Sequence, residues 1–207
     1  MNSSHPSKPR LFHDLATDLR SKALWCYEST NWKSRLKVLM TDGTCAMILY
    51  RLMQWSGRWR LVPLEMLFNK LNSMFCHCII GRGAQFGPGF VLIHSNGVVI
   101  NGSVIGGRNV YIEHQVTIGA QDRQSPQIGN DVFIGAGAKI VGAVSIGDGA
   151  RVGANAVVVK DVPPHSTVVG IPARVVRVRG TEETHTDDEH SNPELEESPA
   201  EISSDVP

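Results

Sequence analysis

Several things are missing from this 207-residue chain, and each absence excludes something. No stretch of 18 apolar residues occurs. The most apolar candidate, Leu61 to Ile80, is broken by Glu65, Asn69, Lys70 and Asn72, so no membrane-spanning helix is expected. The opening MNSSHPSKPR is followed by no apolar signal core, and a cytoplasmic location is the expectation. Cysteine is scarce. Cys26, Cys45, Cys76 and Cys78 have no disulfide-framework spacing and suit a reducing compartment. There is no basic run and no interleaved basic-aromatic motif, which argues against a nucleic-acid partner.

Net charge is also missing, but only as a sum. Lys+Arg 20 balance Asp+Glu 20. All 20 basic residues lie in residues 1–180 with 10 acids, and the last 27 residues carry the other 10 acids and no Lys or Arg. That tail, 181–207, lacks periodicity and reads as disordered. With 42% apolar residues, the rest of the chain has enough material for a core.

The body divides in two. Residues 1–10 are polar and read as a loose end, and the helical region is taken as 1–77. Leu11, Leu15, Leu19 and Ala23 recur every four residues, which predicts one apolar helix face. Asn31 is placed to cap a second helix, or a broken pair, running to about Trp55 with Gly43 as its weak point. Pro63 opens a third, along which Leu64, Leu67, Leu71, Met74 and Phe75 follow helical spacing.

From 78 to 180 the composition changes, and 18 of 20 glycines lie between Gly81 and Gly180. The segments FGPGFV, LIHSNG, IGNDVF, IGAGAK, IVGAVS, IGDGAR and VGANAV repeat with a period of six. A large apolar residue opens each unit and a small one follows four places on. Neither the two-residue period of an amphipathic strand nor the 3.6 of a helix gives that pattern. A short strand ending in a sharp turn does. Three such units make one triangular coil, and stacked coils pair their strands about 4.8 Å apart. Glycine supplies the corners. Residues 80–163 make between four and five coils on this reading.

The pattern resembles the hexapeptide-repeat acyltransferases, and within them the serine acetyltransferase branch. The stretches that carry the resemblance are LIHSNGVVI, VTIGAQDR, IGAGAKIVGAVSIGDGARVGANAVVVKDVPP and VVGIPARVV, between Ile80 and Arg174. The resemblance implies a mainly β protein: a left-handed parallel β-helix behind a helical head, assembled as a homotrimer. It also implies acetyl transfer from acetyl-CoA to a hydroxyl, with no metal required. A thioester is already activated, and a positioned imidazole is enough to remove the hydroxyl proton as attack begins. By this resemblance the base is His94. His114, in YIEHQVTIG, is similar to a histidine of exopolysaccharide acetyltransferases of the colanic-acid type, where it would orient the acceptor or assist proton transfer; a structural role is the other reading. A bulge near Gly102–Gly107 is expected to bring the two imidazoles onto adjacent coils. The resemblance places the pantetheine arm of CoA beside Gly119, Ala120, Gly135, Ala136, Gly153 and Ala154, and its phosphates beside Lys160 and Arg174. Asp122 and Arg123 would contact the acceptor.

Departures from the serine pattern bear on the acceptor. Ile93 and Ile79 stand where the branch has acids, one immediately before the base and one a coil earlier to orient it. Asp42 is a substitute for the ammonium-binding acid of the helical loop, and Gln124 stands where a histidine follows Asp-Arg. Serine carries two charges that a closed site must pair, whereas a sugar hydroxyl carries none. These departures favour a sugar or glycan-precursor acceptor in polysaccharide synthesis, with serine O-acetylation as the alternative and a non-catalytic scaffold as a third reading. Glu113, Asp122 or a backbone carbonyl is then expected to orient His94. Cys76-His77-Cys78 reads as core packing rather than a metal site. The segment SGRWRLVP reads as a packing or solvated loop, with peripheral membrane contact as its alternative.

Overall fold

A computed structural model describes residues 10–179; the acidic tail expected from 181 lies outside the described residues, as does nearly all of the expected loose start. Four helices come first: α1 (Leu11–Tyr27), α2 (Trp32–Val38), α3 (Thr44–Arg58) and α4 (Val62–Cys76). Asn31 caps α2, its side-chain oxygen accepting the Ser34 N–H at 2.8 Å. The broken-pair reading holds. The break is at Gly43, whose φ of 77° lies in the left-handed region that favours glycine. Pro63 falls in the first turn of α4, where its missing N–H costs nothing.

Two helix faces differ from the sequence reading. On α1 the buried side chains are Asp14, Asp18, Lys22 and Ala23, while Leu11, Leu15 and Leu19 are only half-buried. The reason is what α1 covers. It lies against the first coil, whose backbone groups have no preceding coil to pair with, so the face turned inward carries charge and hydrogen-bonding groups. On α4 the expected stripe is split. Leu64 and Leu71 are half-buried, but Leu67, Met74 and Phe75 are exposed and Asn72 is buried.

The repeat folds into three parallel sheets from fifteen short strands: β1 (Ile79–Ile80), β2 (Gln85–Phe86), β3 (Val91–Leu92), β4 (Val99–Ile100), β5 (Ile105–Gly106), β6 (Tyr111–Ile112), β7 (Thr117–Gly119), β8 (Gln127–Ile128), β9 (Phe133–Ile134), β10 (Lys139–Val141), β11 (Ser145–Ile146), β12 (Arg151–Val152), β13 (Val157–Val158), β14 (Ser166–Val169) and β15 (Arg174–Val178). The first face runs β1-β4-β7-β10-β13, the second β2-β5-β8-β11, and the third β3-β6-β9-β12-β14, with β15 antiparallel on β14. The apolar residues that open the six-residue units form the inner ladders. Ile80, Ile100, Ile118, Ile140 and Val158 line the first face, and Leu92, Ile112, Ile134, Val152 and Val168 line the third. The small residues four places on, such as Ala138, Ala150 and Ala156, are buried beside them. On the second face Gly106 leaves the room that the Phe86 ring fills.

The register shows where the frame slips. Ile79 pairs with Val99, Gln85 with Ile105 and Val91 with Tyr111, each a spacing of 20 residues, whereas Val99 pairs with Thr117 at 18. The interval shared by the long spacings is β3 to β4, so the two extra residues belong to the His94 turn and not to the expected bulge near Gly102–Gly107. A second slip, of four residues, lies between β7 and β8. There Gln121 and Gln124 bond each other in both directions at 2.9 Å around Asp122 (φ 52°) and Arg123 (φ 64°), which makes a short hairpin arm at the corner.

A buried ion pair joins head and prism. Arg51 donates to both Asp18 carboxylate oxygens (2.7 and 3.0 Å) and to the Phe86 and Gly87 carbonyls (2.9 and 2.7 Å). The carboxylate in turn accepts the Gly89 and Phe90 N–H groups at 2.8 and 3.0 Å. Both side chains are essentially inaccessible to solvent. Removing one partner strands the other, so Asp18→Ala is expected to lower the unfolding free energy by about 3–5 kcal/mol, read from the midpoint of denaturant unfolding.

Candidate functional site

The corner between the third and first faces carries the chemistry. His94 follows β3 by two residues and His114 follows β6 by two, so the prism stacks them on adjacent coils as expected. Their ring centroids are 5.9 Å apart, edge to face. About half of the His94 side chain is exposed, so the longer turn lifts this imidazole out of the wall into open space.

The partner of His94 is none of the groups expected from sequence. Nδ1 lies 3.1 Å from Oδ2 of Asp42, in the α2–α3 loop. Glu113 instead sits 3.6 Å from His114 Nδ1, and Asp122 is at the tip of the arm, at the opposite end of the first face. Oδ1 of Asp42 accepts the Gly43 N–H at 2.7 Å and the Ser95 hydroxyl at 3.3 Å. Burial pushes the Asp42 carboxyl up, but the hydrogen bonds from His94, Gly43 and Ser95 together with the charge of His94 outweigh it and hold the pKa below its ordinary 3.8. An ionised carboxylate only accepts, so in the neutral ring the proton sits on Nδ1 and Nε2 keeps its lone pair. Both Asp42 oxygens thus make bonds within the chain, while about half of the side chain stays exposed.

The small residues assigned to CoA fall into two groups. Gly135, Ala136, Gly153 and Ala154 continue upward from the histidine corner: the Gly137 N–H donates to His114 O and the Asn155 N–H to Ala136 O, each on the next coil. Gly119 and Ala120 lie at the far end of the first face, where the arm begins. The stacking itself requires two of them. A Cβ on Gly135 would come within 2.8 Å of Ala154 N, and one on Gly153 within 2.7 Å of a Val169 methyl. Gly119 differs, because a Cβ there would meet nothing within 4 Å. The wall itself therefore does not require glycine at this position. Lys160 and Arg174 line one cleft with Val158, Val168 and Ala173 at the end of the prism. Asp161 shares the cleft and accepts the Ser145 N–H at 2.8 Å.

Cys78 is in the core and Cys76 packs against it. Burial pushes both thiols up to about 12, which keeps them protonated. Among the described residues no group of three or more His, Cys, Asp or Glu is placed to hold a metal ion, and no helix is long and apolar enough to cross a membrane. The residues that sequence reasoning missed are Ser95 and Lys22, together with the role of Asp42. Asp14, Asp18 and Lys22 recur every four residues beside the leucine stripe, a signal in plain view. Nothing local links Asp42 to a histidine 52 positions away.

Comparison with known proteins agrees with this architecture. The family described as bacterial transferase hexapeptide (six repeats) matches residues 125–160. The chain is 38% identical to the serine acetyltransferase of Synechococcus elongatus over 149 residues, covering 70% of this chain and 61% of that one. It is 36% identical to the serine acetyltransferase of Helicobacter pylori strain J99 over 143 residues, covering 67% and 84%. Among solved structures, soybean serine acetyltransferase complexed with serine superposes with a TM-score of 0.72 at 35% identity, covering 81% of this chain and 70% of that one. Serine acetyltransferase from Brucella abortus strain S19 in complex with coenzyme A gives 0.74 at 30%, covering 83% and 70%. With this repeat, this histidine corner and this extent of likeness, the chain belongs to the serine acetyltransferase family of hexapeptide-repeat transferases.

Proposed function

We propose that this protein transfers the acetyl group of acetyl-CoA to the hydroxyl of serine, with His94 as the general base. The observation that carries the reading is the Asp42–His94 pair, which leaves a basic Nε2 at a half-exposed corner. As the serine oxygen bonds to the thioester carbonyl carbon, its proton passes to Nε2. The tetrahedral adduct then collapses, the C–S bond breaks, and the proton goes to the departing thiolate. Asp42 holds the ring in the productive tautomer and stabilises the imidazolium that forms. His114, edge-on to His94, faces the acceptor.

The serine reading is supported by the relatives named above, and it displaces the preference for a sugar drawn from the departures in sequence. It asks for charges beyond the Asp42 carboxylate beside His94. A homotrimer supplies them: the arm bearing Asp122 and Arg123 projects from one corner and reaches the histidine corner of a neighbour. The same packing brings Gly119 of one protomer opposite Gly135 and Ala136 of the next and makes a single groove for CoA. A neutral sugar acceptor is the second reading, favoured by Ile79 and Ile93 standing where the serine pattern has acids.

Thiol release from acetyl-CoA separates the two readings: turnover is expected with serine and not with neutral sugars, and His94→Ala is expected to lower kcat by about 10²–10⁴. Lys160→Ala with Arg174→Ala is expected to raise the KM for acetyl-CoA several-fold, with a smaller effect on a short acyl thioester that lacks the nucleotide. The lowered pKa of Asp42 sets a pH window. Its contribution to stability is fully present above the unfolded value of 3.8 and is lost as pH falls through the lower folded value. The difference in unfolding midpoint between the protein and Asp42→Asn is therefore expected to shrink as pH falls below about 4.

A further inference from the structure

Lys22 is completely buried, which is rare for a lysine. Its Nζ donates to two backbone carbonyls, that of Asp42 and, at 2.8 Å, that of Leu92. One belongs to the residue that carries the carboxylate, and the other lies two residues before the imidazole. The approach is close because residue 43 is glycine: a Cβ there would lie 2.4 Å from the Leu92 carbonyl oxygen and 3.1 Å from Lys22 Nζ. The α2–α3 loop therefore lies flat on the end of β3, with the ammonium group wedged at the seam.

The Asp42 side chain itself is about half exposed, so little packing holds its carboxylate in place. The Gly43 N–H and Ser95 hydroxyl hold one carboxylate oxygen, and the loop beneath is set from behind, through the backbone. We infer that Lys22 is a positioning residue for the Asp42–His94 pair, fixing the loop that carries Asp42 at hydrogen-bonding distance from His94. The inference rests on His94 acting as the base. A flexible stem with a compact, three-donor head suits a narrow seam between two carbonyls, which a planar guanidinium does not. Desolvation of the head pushes its pKa down to about 8, and the charges of Cys26 and Asp42 offset only part of that cost. The Arg51–Asp18 pair is buried to the same degree, but its bonds end on the backbone of residues 86–90, away from the histidine corner.

The test is a cycle of Lys22→Met, Asp42→Asn and the double variant in the full chain, with Lys22→Gln as a milder second substitution. The first readout needs no turnover. In ¹⁵N-histidine spectra, His94 is expected to show a protonated Nδ1 and a bare Nε2, and both Lys22→Met and Asp42→Asn are expected to relax that tautomer to the same mixed state. The second readout is thiol release with serine. Lys22→Met is expected to lower kcat about ten- to a hundredfold with little change in either KM, since small misplacements at a reacting centre cost that much. In the Asp42→Asn background it is expected to cost less than twofold more. An unchanged His94 spectrum in Lys22→Met, or kcat losses that multiply in the double variant, would overturn the inference. So would loss of the folded state in both Lys22 variants, which would make Lys22 a general core residue. Failure of the base assignment appears separately, as undiminished turnover in His94→Ala.

Discussion

A coil that closes in three equal sides places each residue above the one a full turn earlier. That constraint organises the molecule. Side chains that face inward become ladders, corners become columns, and anything that breaks the six-residue frame must appear at a corner. This chain loses two residues from the frame between β13 and β14 and gains residues at two places, the turn that holds His94 and the arm that holds Asp122 and Arg123. Both places bear polar groups. Regular repeats build the wall, and these two insertions carry polar groups out of it.

The prism cannot close its own first coil. Backbone groups there face no earlier coil, and the helical head supplies them with partners. Arg51, Asp18 and Tyr50 meet them directly: the Tyr50 hydroxyl donates to Ala84 O at 3.1 Å and accepts the Phe86 N–H at 3.0 Å. The same head delivers Asp42 to His94. Covering the open end and completing the histidine pair are therefore one act of packing, and α1 contributes to both through Asp18 and Lys22, one helical turn apart.

Much of this was legible in the residues. The period of six, the inner ladder, the Asn31 cap, the Pro63 start and the break at Gly43 each follow from local chemistry. So did the pairing of His94 with His114 on adjacent coils, although the compensating residues were placed at the wrong corner. A count of intervals shows that a slip exists somewhere in a coil, and only pairing shows which side holds it. The orienting carboxylate was not legible, because Asp42 and His94 meet through the fold and not through spacing. The polar face of α1 was misread for a related reason: helical periodicity tells which residues share a face, while the surface opposite decides which face is buried.

Gly119 shows how unequal the steric demands on one residue type are along a single wall. Gly135 and Gly153 are required by neighbours in their own wall, and any selection for a folded chain would preserve them. At Gly119 the wall imposes no such requirement. A library of variants screened only for folding would accept side chains there, whereas glycine would return at the other two positions.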